Sequence, residues 1–290
     1  MQCLFGGSET DSKEHVVPAW LQRRFKLQEQ TINIPNGTTL KYKLLVVPAD
    51  KTENRKFGEI EDRISNGHFN LDEVYLWALK IHIGLIFRDS SLRVDIRDPK
   101  SEFILDIGSF ESEIALFRIL YEHWKGGGKT SPSPFGSVFI LDSLLPPNEF
   151  DLFHCLVTGT VGIHIGGKFI VVFLWDQGDA MAANIEAQWT RHHLPTAASY
   201  IGHADYADHC YMAHHVWACE SAYWLYRNRR RLNMLRSPEH IALVPPAFRP
   251  QAQPVVEEQY RHICRSFGLE LTKFSGEVGN VYTQHSRIQA

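Results

Sequence analysis

The chain has 290 residues, 44% of them hydrophobic and 22% charged, with a formal net charge of −3 at pH 7. That length suits two domains, and the composition is ordinary for a globular protein with a sizeable core. The slight acidity argues against a broadly basic surface that coats nucleic acid, but it leaves room for a local basic groove. The five cysteines, Cys3, Cys155, Cys210, Cys219 and Cys264, are scattered and odd in number. They exclude a disulfide framework and point to a reducing compartment. No basic start leads into an apolar secretory segment, and no apolar run reaches the ~18–20 residues of a membrane helix. A cytoplasmic protein without a membrane span is expected.

In chain order, the first informative stretch is Lys13-Glu14-His15-Val16-Val17-Pro18-Ala19-Trp20-Leu21. A carboxylate beside a histidine suits phosphodiester hydrolysis: the acid holds a divalent cation, and the imidazole takes a proton from water. Residues 31–34 and 39–47 flank Asn36-Gly37 and read as a hairpin. Lys41 and Lys43 alternate with apolar residues there, as a solvated strand face or as neighbours of a phosphate backbone. Residues 54–64 read as a helix with Phe57, Ile60 and Ile64 on its buried stripe, closed by Ser65-Asn66-Gly67. A second helix over 70–87 starts at Asn70 as its cap and is apolar on most sides. It reads as a spine joining the N-terminal module to the rest, with His82 as a core histidine. Residues 88–108 read as short strands and turns, and 111–124 as an amphipathic helix.

Gly126-Gly127-Gly128-Lys129-Thr130 fails as a phosphate loop, because His123 stands where the first glycine belongs and two prolines forbid the helix that must follow. It reads as a plain loop. Strands are expected at 137–141, 152–157, 161–165 and 168–175, with Gly166-Gly167 as a tight turn, forming a small antiparallel sheet. The last third reads as helical, over 186–193, 204–232 and 255–267, and the stretch after it as an irregular tail. The 204–232 helix carries Cys210 and His214, then His215 and Cys219, at i, i+4. That spacing either seats a metal or belongs to a packed helix with Tyr211, Trp217, Tyr223 and Trp224 in the core. Arg227, Arg229, Arg230 and Arg231 at its end either favour the helix dipole or contact phosphate.

Residues 14–21 read Glu-His-Val-Val-Pro-Ala-Trp-Leu, Cys3 lies eleven residues before Glu14, and Asn54 follows Asp50-Lys51-Thr52-Glu53. Over positions 1–65 the chain resembles the HNH (ββα-metal) endonucleases, in the branch with two Cys-x-x-Cys pairs around the acid–His dipeptide. The resemblance implies Glu14 as metal-binding acid, His15 as general base and Asn54 as metal-binding amide at a helix start. The four cysteine positions fall at Cys3, Gly6, Asp50 and Glu53. One cysteine cannot hold a structural zinc, so structural zinc is not expected; the hard-oxygen ligands the resemblance implies suit magnesium or manganese, the expected cofactor. Asp50 and Glu53 either pair with local cations or join the metal shell.

The expected fold class is α+β: an HNH-like module over 1–67, then a larger mixed domain over 68–290 with a small antiparallel sheet and a helical C-terminal third. The expected function is metal-dependent cleavage of DNA, with Lys51, Arg55 or Lys56 steadying the phosphate. Bacterial proteins of this build imply a role in defence against phage or other foreign DNA. The larger domain would then hold a partner, a trigger or a self-association surface. The alternative is a catalytically inactive descendant that binds DNA or a partner protein. A third class, a zinc enzyme built on the 204–232 helix, has only spacing behind it.

Overall fold

The computed structural model describes residues 2–7, 10–131, 133–142, 146–156 and 159–174, together with strand segments at 234–236, 240–243, 269–277 and 280–287. The chain is α+β, with several helices and small antiparallel sheets. Two compact units are distinguished, one over residues 1–130 with 236–241, the other over 131–235 and 242–290. The first unit therefore runs past the 67/68 boundary expected from sequence. No described helix is long and apolar enough to cross a membrane.

In the first unit, β1 (Ser12–His15) pairs antiparallel with β4 (Val46–Ala49), Glu14 opposite Val47 and His15 opposite Val46. Between them lie α1 (Ala19–Arg24) and a small hairpin of β2 (Thr31–Asn33) and β3 (Thr39–Lys41). The hairpin turns at Asn36-Gly37 as expected, with Gly37 at φ 78°. The expected long second strand over 39–47 is instead broken by a 3-10 turn at Tyr42–Leu44, so its last residues pair with β1 rather than with β2. Lys41 and Lys43 both bind Glu29, at 2.6 and 2.5 Å. Those two bonds hold the Glu29 carboxyl down to about 2. They occupy both lysines, Lys41 at the end of β3 and Lys43 in the 3-10 turn.

Helix α2 (Lys51–Ser65) begins three residues before the expected start. The reason is Asp50, whose carboxylate accepts the backbone N–H groups of Thr52 and Glu53 at 2.8 and 3.0 Å. Such a cap is worth ~1 kcal/mol. Asp50→Ala is expected to lower the free energy of unfolding by that amount, read as a lower urea midpoint at unchanged slope. Phe57, Ile60 and Ile64 of α2 are buried as their spacing requires. Helix α3 (Leu71–Asp89) is capped by Asn70, which accepts the Glu73 N–H at 3.2 Å, and from Val74 to Gly84 every residue is buried. Its period is weak because it is enclosed on all sides. Helix α4 (Glu111–Lys125) buries Ile114, Leu116, Phe117, Leu120 and Tyr121. Phe5, Phe57, Phe117 and Tyr121 meet with ring centroids 5.2–6.3 Å apart, the aromatic centre of the unit. A short strand, β5 (Lys129–Ser131), follows.

In the second unit, β6 (Ser137–Asp142), β7 (Asp151–Cys155), β8 (Thr160–Ile165) and β9 (Lys168–Phe173) form an antiparallel sheet in the order β6-β9-β8-β7. Gly166 and Gly167, at φ 56° and 79°, make the two-residue turn between β8 and β9. Short strands β10 (Met234–Arg236) and β11 (His240–Leu243) come later. The C-terminal end is not an irregular tail. It forms a hairpin of β12 (Leu269–Glu277) and β13 (Asn280–Arg287). The helices expected at 186–193, 204–232 and 255–267, with their histidines, cysteines and arginines, lie outside the described residues.

Candidate functional site

Along β1 the side chains alternate between faces. Ser12 and Glu14 turn one way, Lys13 and His15 the other. The structure thus sets Glu14 and His15, neighbours in sequence, on opposite faces of one short strand. Glu14 is buried, 8% exposed, while Lys13 is exposed and His15 half-buried.

Beneath Glu14 lies a feature that the sequence does not announce. The Lys80 side chain, from the middle of α3, is fully buried. Its ammonium is ion-paired with Glu14, donates to Glu61 Oε1 of α2 at 2.8 Å and to the backbone carbonyl of His15 at 2.9 Å, and stands 5.8 Å from the centre of the Phe57 ring. Burial pulls the ammonium down, and Glu14 and Glu61 more than restore it, so it stays protonated. The same burial pushes Glu61 up to about 7, partly opposed by Lys80. Close approach of α3 to the strand is permitted at Gly84, one turn after Lys80 on the same helix face: a Cβ there would stand 3.0 Å from Val16. A lysine in the mostly apolar middle of a helix is the sequence signal for this cluster.

His15 is drawn below its ordinary 6.5, chiefly by burial, with Lys80 and Arg23 of α1 pulling the same way and Glu14 opposing. The ring is therefore neutral at pH 7 and able to accept a proton. Asn54, in the first turn of α2, donates from Nδ2 to Ser12 Oγ at 3.1 Å and to the Lys13 carbonyl at 3.5 Å. It fastens the helix start to β1 just before the Glu14-His15 pair. Among the described residues no hydrogen bond joins it to Glu14 or His15, and its amide oxygen has no bond.

Lys51 and Arg55 flank Asn54, and both are exposed without an ion pair among the described residues. Lys56, the third expected phosphate contact, is instead held by Glu59 at 2.9 Å and lies over the Trp124 ring. Other cations of the unit are likewise spent: Arg63 on Glu73, and Lys125 on Glu53 and Glu122.

The four positions that carry cysteines in the resembled motif lie around the start of α2, and side-chain and backbone bonds tie them. Cys3 Sγ accepts the Asp50 N–H at 3.2 Å. Asp50 caps α2, and Glu53 binds Lys125 at 2.8 Å. From α4, Arg118 donates to the carbonyls of Cys3 and Leu4 at 2.6 and 3.3 Å, and its chain fills the space a Cβ on Gly6 would take. Tyr121 Oη donates to the Glu53 carbonyl at 2.9 Å. Both acids left open by the sequence thus have partners in the fold: a helix cap and an ion pair. Helix α4 supplies a clasp of cations and a phenol at three of these positions, Cys3, Gly6 and Glu53.

For a divalent cation, the hard-oxygen donors near β1 are mostly committed already. Glu14 and Glu61 place two hard-oxygen carboxyl groups around one ammonium, and the Asn54 amide leaves its oxygen uncommitted among the described residues. The described residues include no group of three or more His, Cys, Asp or Glu that could hold a metal by themselves. Compared with known proteins, the chain matches no family model, no curated protein and no solved structure.

Proposed function

We propose that the first unit is an HNH-like ββα endonuclease module that hydrolyses phosphodiester bonds in DNA. The observation that carries this reading is the bond from Asn54 to β1, which ties the start of α2 to the strand bearing Glu14 and His15. In this reading β1, β4 and α2 are the two strands and the helix of the module. His15, neutral at pH 7, accepts the proton of the attacking water. Lys51 and Arg55, exposed beside the helix N-terminus, hold the phosphate backbone. Magnesium or manganese would be held by Glu14 and the Asn54 amide oxygen, and when bound would offset charge on the leaving oxygen.

The test is conversion of supercoiled plasmid to nicked circles by the full chain in magnesium or manganese, beside His15→Ala and Asn54→Ala. Cleavage lost in both variants is the expected result, and cleavage unchanged in both ends the proposal. The second reading, an inactive module that binds DNA or a partner, is favoured by one observation: the Glu14 carboxylate is already paired with an internal ammonium. Plasmid retained in a gel shift but never cut, by wild type with either ion, would support it. The defence setting follows the resemblance, with the C-terminal region expected over 68–290 then carrying the trigger or partner surface.

A further inference from the structure

We propose that Lys80 and Glu61 are positioning residues for the Glu14-His15 pair, fixing the side chain of the first and the backbone of the second through one buried ammonium. The use made of the pair rests on the nuclease reading; the geometry does not. Lys80 reaches across 65 residues of sequence to the carbonyl of His15, and the same ammonium holds the carboxylate of Glu14. Glu61 takes a further ammonium proton at 2.8 Å. Three elements, β1, α2 and α3, are thereby locked at one atom. An ammonium has three protons, and here it meets three oxygens. Neither the carboxylate nor the strand carbonyl can turn without leaving a fully buried charge short of a partner.

The lock has a local signature. The peptide unit whose carbonyl Lys80 holds is the one that carries the Val16 N–H, and that N–H donates to the Leu45 carbonyl at 3.0 Å. Releasing the carbonyl therefore frees the plane on which this strand-edge bond depends.

The experiment uses the full chain as wild type, Lys80→Met, and the double variant Lys80→Met/Glu61→Leu. The double variant removes the second buried acid in case the single change prevents folding. One quantity is read: hydrogen exchange of the Val16 amide against that of Phe117 and Leu120 in α4. The ratio of amides separates a local release from a general loss of stability, which speeds all of them alike. The expected result in the folded variant is a Val16 amide that gains more speed than the α4 amides. A Val16 amide that keeps step with α4 overturns the proposal, since Lys80 then serves stability alone. A Val16 amide released as expected in a protein whose wild type nicks no plasmid upholds the positioning role and sinks the nuclease reading.

Discussion

Lys80→Met is expected to cost about 3–5 kcal/mol, as for other buried pairs deprived of one partner. The methionine nearly matches the lysine stem in size, so cavity formation contributes little. What is lost is the charge that two carboxyl groups and a carbonyl are arranged around, and Glu14 and Glu61 are left without it beside the Phe57 ring. Urea unfolding measures the loss, and Lys80→Met/Glu61→Leu should recover part of it by removing one of the stranded acids. A loss under about 1 kcal/mol, the range of an exposed pair, would show that the ammonium is not enclosed as described. The pH dependence carries a sign. Glu61, raised from 4.5 to about 7 by burial, keeps its proton in the folded chain where the unfolded chain has released it. Its contribution to stability is therefore complete below pH 4.5 and is lost as pH climbs through 7. Asp89, raised to about 6, adds to the same limb. His15, drawn down by burial, acts oppositely: its contribution is present above 6.5 and is lost as the solution turns acid.

His15→Ala is expected to reduce plasmid nicking by ~10²–10⁴-fold, the usual contribution of a positioned general base. Because the folded ring deprotonates below 6.5, wild-type nicking should reach its plateau before pH 7. In His15→Ala that acid limb should vanish along with most of the rate. Folding should hardly change, since the ring is only half-buried and its backbone carbonyl, which Lys80 holds, remains. A variant that loses the rate but keeps the acid limb would move the base elsewhere. The next groups to test would then be those on the Lys13–Arg23 side of the strand.

Several parts of the fold follow from local chemistry and are legible in the sequence. Asn70 before an acidic first turn, Phe57, Ile60 and Ile64 at helical spacing, and Gly166-Gly167 between two β-forming runs each act over a short reach of chain. Expectation fails where the deciding contact is distant. The run over 39–47 breaks because its end pairs with β1, well back in the chain. The C-terminal end lacks a clean period, yet the backbone of β12 finds its partner in β13, with a bulge near Leu271 and Lys273 that disturbs the alternation.

The candidate site divides the same way. That an acid and a histidine adjoin ahead of a proline, and that an amide stands near a helix start further on, is a property of the chain and is visible as such. Only the tertiary structure decided that Glu14 turns inward to an ammonium while His15 takes the other face, that α4 clasps the start of α2, and that Lys51 and Arg55 stay unpaired among the described residues where Lys56 does not. The physical reason is that a charge takes its meaning from its nearest partner and its depth. Lys80 and Glu14 stand far apart in the chain, and nothing but packing brings the two together.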